Sequence, residues 1–204
     1  MLGLAYALLP GTALMQTAHS AGAAAVFGAN FYFQATTGGY FDASSERMPL
    51  LHLWSLSVEE QFYFLWPALL IVLLRWKPQA FARILCGLGL ASFVLAEVLI
   101  HTNPEAAFYQ MPARFWELAA GGLVAALPVR AFPVWVPTGA TMLALAACFI
   151  PLEHFPSIGV LPAVVGAAVL LAAIQGGGNL GLAGNWLRSR PMVGVGLISY
   201  SLYL

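Results

Sequence analysis

Seven residues with side chains able to make or break hydrogen bonds crowd into one short stretch of this chain. Between residues 49 and 67 the sequence runs Pro-Leu-Leu-His-Leu-Trp-Ser-Leu-Ser-Val-Glu-Glu-Gln-Phe-Tyr-Phe-Leu-Trp-Pro. Side chains three and four apart share a face of a helix. His52, Ser55, Glu59 and Tyr63 therefore form one stripe, with Glu60 turned about 100° away. Ser55 to Glu59 is one helical step, which lets a carboxylate meet a hydroxyl or orient a partner shared with it. A serine nucleophile needs an adjacent base. His52, one turn before Ser55 on the same face, is placed to act as one, although a histidine at a helix start more often serves as a cap. The plainer alternative is a polar cap at the interface end of a membrane helix.

The elements that must carry this stretch follow from composition. The chain is 61% hydrophobic and 8% charged, with a mean hydropathy of +0.83, whereas soluble domains average about 25% charged residues. Apolar segments near 20 residues each predict an all-α, polytopic transmembrane helix bundle that meets the lipid bilayer directly. A closed barrel would need short alternating strands instead. Eight basic and eight acidic residues cancel, and no basic patch with interleaved aromatics suggests nucleic acid. Cys86 and Cys148 stand alone in apolar runs, where the expected role is that of small buried hydrophobes. Neither has metal-ligand spacing around it, and no metal site is expected. No Lys or Arg precedes Arg47, so the N-terminus lacks the basic region of a secretory signal.

In chain order, residues 2–14 read as the end of a helix, with a break at Gly11 and Thr12. Residues 21–35 are short for a span and are equally a re-entrant segment. A polar loop over 36–48 leads to the polar stretch, whose helix is expected to reach about residue 74 and to contain Pro67, a possible kink site. Further spans are expected at 81–100, 134–150 and 158–174. A loop covers 101–110, a shorter apolar run 112–127, and a last segment 193–204. No internal repeat or second domain is visible. Arg75, Lys77 and Arg83 cluster in one turn, Arg130 lies two turns on, and Arg188 and Arg190 two turns after that. Basic loops stay cytoplasmic, so the Lys77 turn is expected inside and the polar helix enters from outside, with Arg47 the one basic residue of an outer loop.

Glu59, Glu60, Glu97, Arg114 and Glu117 fall inside apolar segments. With that topology each lies near the outer end of its span, roughly 7 Å deep at 1.5 Å per residue. Charges at such depth are costly unless paired or facing a polar interior. Arg114 is a partner for any of the carboxylates, and Arg114 to Glu117 is itself an i, i+3 pair. The alternative is a set of headgroup-level ion pairs that join helices, which is as good an account for Glu97.

The run from His52 to Tyr63 resembles the signature of the acyltransferase family 3 membrane proteins, which move acetyl and other acyl groups onto sugars and lipids. That family shows a His-x-Trp-Ser-Leu-x-Val-Glu-Glu-Gln-Phe-Tyr run with an important Ser-x-x-x-Glu pair. A second resemblance is the Pro-x-Arg-x-Trp-Glu-Leu-x-x-Gly pattern of residues 112–121, and a third is Ile-Ser-Tyr-Ser-Leu-Tyr-Leu at 198–204. The resemblance implies a catalytic set of His52, Ser55, Glu59 and Glu60, with Trp54, Tyr63, Arg114 and Glu117 toward substrate. It also implies an acyl-CoA donor such as acetyl-CoA, no bound cofactor, and a cell-surface glycan or glycolipid acceptor such as peptidoglycan, exopolysaccharide or lipopolysaccharide. The place implied is a bacterial inner membrane. The family's catalytic histidine and arginine-rich turn, expected on earlier helices, have no counterpart here, and His19 does not fit the pattern. Residues 1–204 thus resemble one partial transmembrane domain cut at both ends, which leaves open whether it turns over alone. A transporter using the same carboxylates as a proton or substrate path is the alternative from another class, and a scaffold without chemistry leaves the polar stripe unexplained.

Overall fold

The computed structural model describes residues 11–37, 48–128, 131–149 and 156–203. These are helical wherever they are regular, with no strand among the described residues. The helices are α1 (Gly11–Ala25), α2 (Ala29–Thr36), α3 (Leu53–Trp76), α4 (Phe81–Thr102, entered through a 3-10 turn at Pro78–Ala80), α5 (Pro104–Tyr109), α6 (Met111–Ala126), α7 (Trp135–Ala147), α8 (Leu161–Gln175), α9 (Gly181–Leu187) and α10 (Arg190–Tyr203). Two of them are long and apolar enough to cross a membrane: α3, and α4 with its entering turn, Pro78–Thr102. At 24 residues, α3 is about 36 Å long, more than a bilayer core of about 30 Å. It runs unbroken through Pro67.

Several expectations are corrected. The segment 21–35, read as either a short span or a re-entrant segment, joins the end of α1 to α2 through a break. It breaks at Phe27, whose φ of 56° is left-handed, a region bulky residues rarely adopt. The Phe27 N–H bonds to the Ala24 carbonyl and the Gly28 N–H to the Ala23 carbonyl, which is the closing pattern of a helix that normally ends on glycine. Gly11 and Thr12, where a break is expected, open α1, and the residues before them lie outside those described. The loop expected at 101–110 holds α5, begun by Asn103, whose side chain accepts from the Ala106 N–H. The spans expected at 134–150 and 158–174 are helices of 13 and 15 residues, about 20 and 22 Å long and short for a bilayer core. Cys86 and Cys148 are exposed rather than buried, because the described helices leave much apolar surface uncovered. Asp42, Glu46, Arg47, Arg130, Glu153 and His154 lie outside the described residues.

The chain divides into two compact units. The first comprises residues up to Pro78 together with 94–115, and the second 79–93 with 116–204. The core of the first is Ala29 and Phe33 of α2, Trp54 and Val58 of α3, and Tyr109 of α5. In the second, α7 and α8 form a close pair. Gly166 permits the approach, since a Cβ there would lie 2.7 Å from the Ala140 carbonyl oxygen. Trp116 is anchored twice in this unit, its backbone N–H donating to Ser92 Oγ and its indole N–H to the Pro156 carbonyl.

Candidate functional site

The polar stretch opens α3, and α3 buries a different face from the one carrying the candidate stripe. Trp54, Ser57, Val58 and Phe62 are its buried residues in the polar half, at the i, i+3, i+4 and i+8 positions of an inward face. Glu59 and Tyr63 are exposed, while His52, Ser55 and Glu60 are half-buried. Within this chain the stripe of His52, Ser55, Glu59 and Tyr63 therefore lies outside the described core rather than inside it. The reason is packing. Trp54 and Val58 supply apolar surface that meets α2 and α5, Phe62 lies against Phe115 of α6, and polar side chains on the other face cannot compete for these contacts.

His52 takes the position before the first turn of α3 without any side-chain capping bond. Its carbonyl accepts a hydrogen bond of 3.2 Å from Ser55 Oγ. The Ser55 hydroxyl proton thus points back along the helix toward a carbonyl. Glu59 stands in the field of two charges, the Arg114 guanidinium and the Glu60 carboxylate.

Arg114 comes from α6, about 60 residues further along the chain. Its guanidinium carbon lies 5.2 Å from the centroid of the Trp54 ring, within the reach of a cation–π contact. Trp54 is held on its other sides by Phe108, at 4.6 Å between centroids, and Tyr109, at 5.2 Å. So the tryptophan of one motif and the arginine of another meet, and the arginine's charge reaches Glu59. Glu117 belongs to the second unit, where it lines a cavity of about 280 Å³ with Gly121, Ala163, Ala167 and Leu171. Glu97 faces His101 one turn on, 3.7 Å away. Among the described residues, no group of three or more His, Cys, Asp or Glu could hold a metal ion.

A second set of polar residues, which α3 turns inward, lies off the stripe and is not among the candidates its spacing picks out. Ser57 Oγ accepts from the Ala29 N–H at 3.2 Å. Gln61 Nε2 donates to the Phe27 carbonyl at 2.8 Å and to Asn30 Oδ1 at 2.9 Å. Asn30, fully buried, donates in turn to the Tyr109 carbonyl at 3.1 Å, and the Tyr109 hydroxyl meets Thr37 Oγ1 at 3.3 Å. Gln110 donates to Gln34 beside them. The available signal was the four-residue step from Ser57 to Gln61, in phase with Trp54, Val58 and Phe62.

The described residues form helices and no strand, two of those helices are long and apolar enough to cross a membrane, and one of the two opens on a carboxylate and a hydroxyl with an arginine over its tryptophan. The comparison with known families is specific. A family model described as an acyltransferase domain, of acyltransferase family 3, matches residues 5–204, and the chain belongs to that family. "Peptidoglycan O-acetyltransferase OatA" of Listeria monocytogenes is 40% identical over 96 residues, 45% of this chain and 15% of the relative. "Putative peptidoglycan O-acetyltransferase YrhL" of Bacillus subtilis is 32% identical over 195 residues, 86% of this chain and 30% of the relative. "Putative membrane-bound transacylase BcsY" of Komagataeibacter xylinus is 30% identical over 174 residues, 81% of this chain and 42% of the relative. The chain thus spans less than half the length of each. No solved structure matches it.

Proposed function

We propose that this chain is part of a multi-pass membrane O-acyltransferase that moves an acetyl or other acyl group from an acyl-CoA-type donor to a hydroxyl of a cell-surface glycan or glycolipid. The observation that carries the reading is the meeting of two distant motifs, Arg114 of one over Trp54 of the other, with Glu59 in the field of the same guanidinium. The family match and the names of the relatives favour acyl transfer over the transporter alternative. The wide apolar exposure of α3, with Phe64, Ile71 and Leu74 open, suits a lipid surround, as does a bacterial inner membrane with the polar helix end outward. The rest of a polytopic bundle would cover the shorter helices.

Transfer of an acyl group to a hydroxyl needs a base for the acceptor proton and donors for the oxyanion that develops on the thioester carbonyl. The acceptor oxygen attacks that carbonyl, the carbon–sulfur bond breaks, and the thiolate leaves and takes up a proton. Glu59 orients or relays the acceptor proton, and the Arg114 guanidinium, over Trp54, stabilises the oxyanion or holds Glu59. Glu60 adds negative charge beside Glu59. Ser55 serves better as a hydrogen-bonding partner than as a nucleophile, because its proton is directed at the His52 carbonyl, which is no base. His52 closes the head of the stripe. Tyr63, which is exposed, offers a ring face toward substrate; Trp54, expected toward substrate, is buried and instead holds the Arg114 guanidinium, and Glu117 lines a cavity of its own unit. Residues 1–204 act here as one part of a transmembrane domain, and no metal is required.

The test is Glu59→Gln in the intact protein in its membrane, which keeps shape and removes charge. Acyl transfer should be lost while membrane expression stays normal. Retained transfer would leave Glu59 a surface residue and end the assignment.

A further inference from the structure

Three residues of α3 converge on the break between α1 and α2. Ser57 accepts from the Ala29 N–H, one of the first amides of α2, which have no carbonyl partner inside their own helix. Gln61 uses both amide hydrogens, one on the Phe27 carbonyl and one on Asn30 Oδ1. The Phe64 ring lies 5.8 Å from that of Phe27. Positions 57, 61 and 64 fall on one face of a helix, so a single face of α3 grips a single feature. That feature is strained. Phe27 holds a left-handed conformation, which costs a side-chain-bearing residue roughly 1–2 kcal/mol. Such a conformation persists only where its surroundings over-determine it.

At about 100° per residue, Ser57 and Gln61 lie about 160° around α3 from Ser55 and Glu59 respectively. Whatever fixes the inward face therefore fixes the direction in which the outward face presents its hydroxyl and carboxylate. The apolar contacts of Trp54, Val58 and Phe62 are non-directional and would tolerate a turn of α3 by some tens of degrees. The Gln61 amide does not tolerate it, because both its donors have single acceptors and Asn30 is itself committed to the Tyr109 carbonyl.

We propose that Gln61, with Ser57 and Asn30, is a positioning residue that sets the rotation of α3 about its axis and so aims Ser55 and Glu59 at the reacting groups. The grip on the α1–α2 break stands by itself; its service to catalysis rests on the function proposed above.

The experiment uses the intact protein in membranes, with radiolabelled acetyl-CoA as donor and peptidoglycan fragments as acceptor probe. It compares Gln61→Met, which keeps volume but loses both donors, and Gln61→Glu, which keeps shape but replaces donors by acceptors. Both should reach the membrane, and both should lower kcat by about 10- to 100-fold, the scale of a small misplacement of reacting groups, with KM for acetyl-CoA unchanged. Hydrogen exchange of the backbone at the start of α2, which needs no turnover, should speed up in both. Transfer retained by Gln61→Met, or exchange unchanged at α2, would overturn the proposal, as would a loss carried wholly by KM. If Gln61→Met does not reach the membrane, Ser57→Ala, which removes only the acceptor for the Ala29 N–H, carries the same measurements and outcomes. A Glu59→Gln control separates the two ideas. Transfer surviving in that control ends the proposed role of Glu59, while the exchange result still decides whether Gln61 holds α3.

Discussion

Replacing Gly166 by alanine sets two opposed effects against each other. Alanine in a helix interior is favoured over glycine by about 0.8–1.0 kcal/mol, so the substitution gains stability wherever there is room. At Gly166 there is none. The added Cβ would lie 2.7 Å from the Ala140 carbonyl oxygen, 2.9 Å from the Ala144 amide nitrogen and 3.0 Å from the Ala144 Cβ. These neighbours are backbone or a Cβ attached to it, so no rotamer change relieves the overlap and α7 must move bodily away from α8. Overpacking of this kind costs roughly 1–3 kcal/mol. The net for Gly166→Ala is therefore a loss of about 0–2 kcal/mol, after the propensity gain is subtracted. Gly139, on α7, is the internal control, since a Cβ there meets nothing within 4 Å. Gly139→Ala should be as stable as the parent or more so, and Gly166→Leu should lose more than Gly166→Ala. Thermal unfolding of the detergent-solubilised intact protein orders the four. Equal melting of Gly166→Ala and Gly139→Ala would refute the close approach of α7 and α8.

Other outcomes follow from the first unit. Arg114→Lys keeps a charge but loses the guanidinium over Trp54, a cation–π contact worth about 0.5–2 kcal/mol, so transfer should fall by roughly 2- to 30-fold; Arg114→Met should lose more, and equal effects of the two would deny the charge any role. Asn103→Ala removes the cap of α5 and should cost about 1 kcal/mol in thermal stability, with an unchanged melting temperature counting against α5 as a folded element. Cysteines introduced singly in intact cells should place Ser44 and Glu153 outside and Lys77 inside, read by an impermeant thiol reagent. Labelling of the Lys77 position from outside reverses the orientation and makes an inward-facing acceptor the better reading.

Composition and periodicity alone determined the helical class and most of the element map. Apolar content this high forces the backbone to satisfy itself internally, which is why α3 and α4 could be placed to within a few residues. The twelve-residue run at the head of α3 and the pattern around Arg114 were equally legible, since both rest on residue types at fixed spacing. What the sequence left undecided was rotation and rupture. One helix face at 52, 55, 59 and 63 and another at 54, 57, 58 and 61 are both polar enough to be a site, and periodicity cannot rank them. Only packing did, by spending Trp54 and Val58 on α2 and α5 and Phe62 on Phe115 of α6. The break at Phe27 was hidden for a similar reason. Nothing local favours a left-handed phenylalanine, and the hydrogen bond that holds its carbonyl comes from Gln61, far along the chain. The convergence of Arg114 on Trp54 and Glu59 has the same origin, because a contact across some 60 residues is a property of how helices pack and not of any window along the chain.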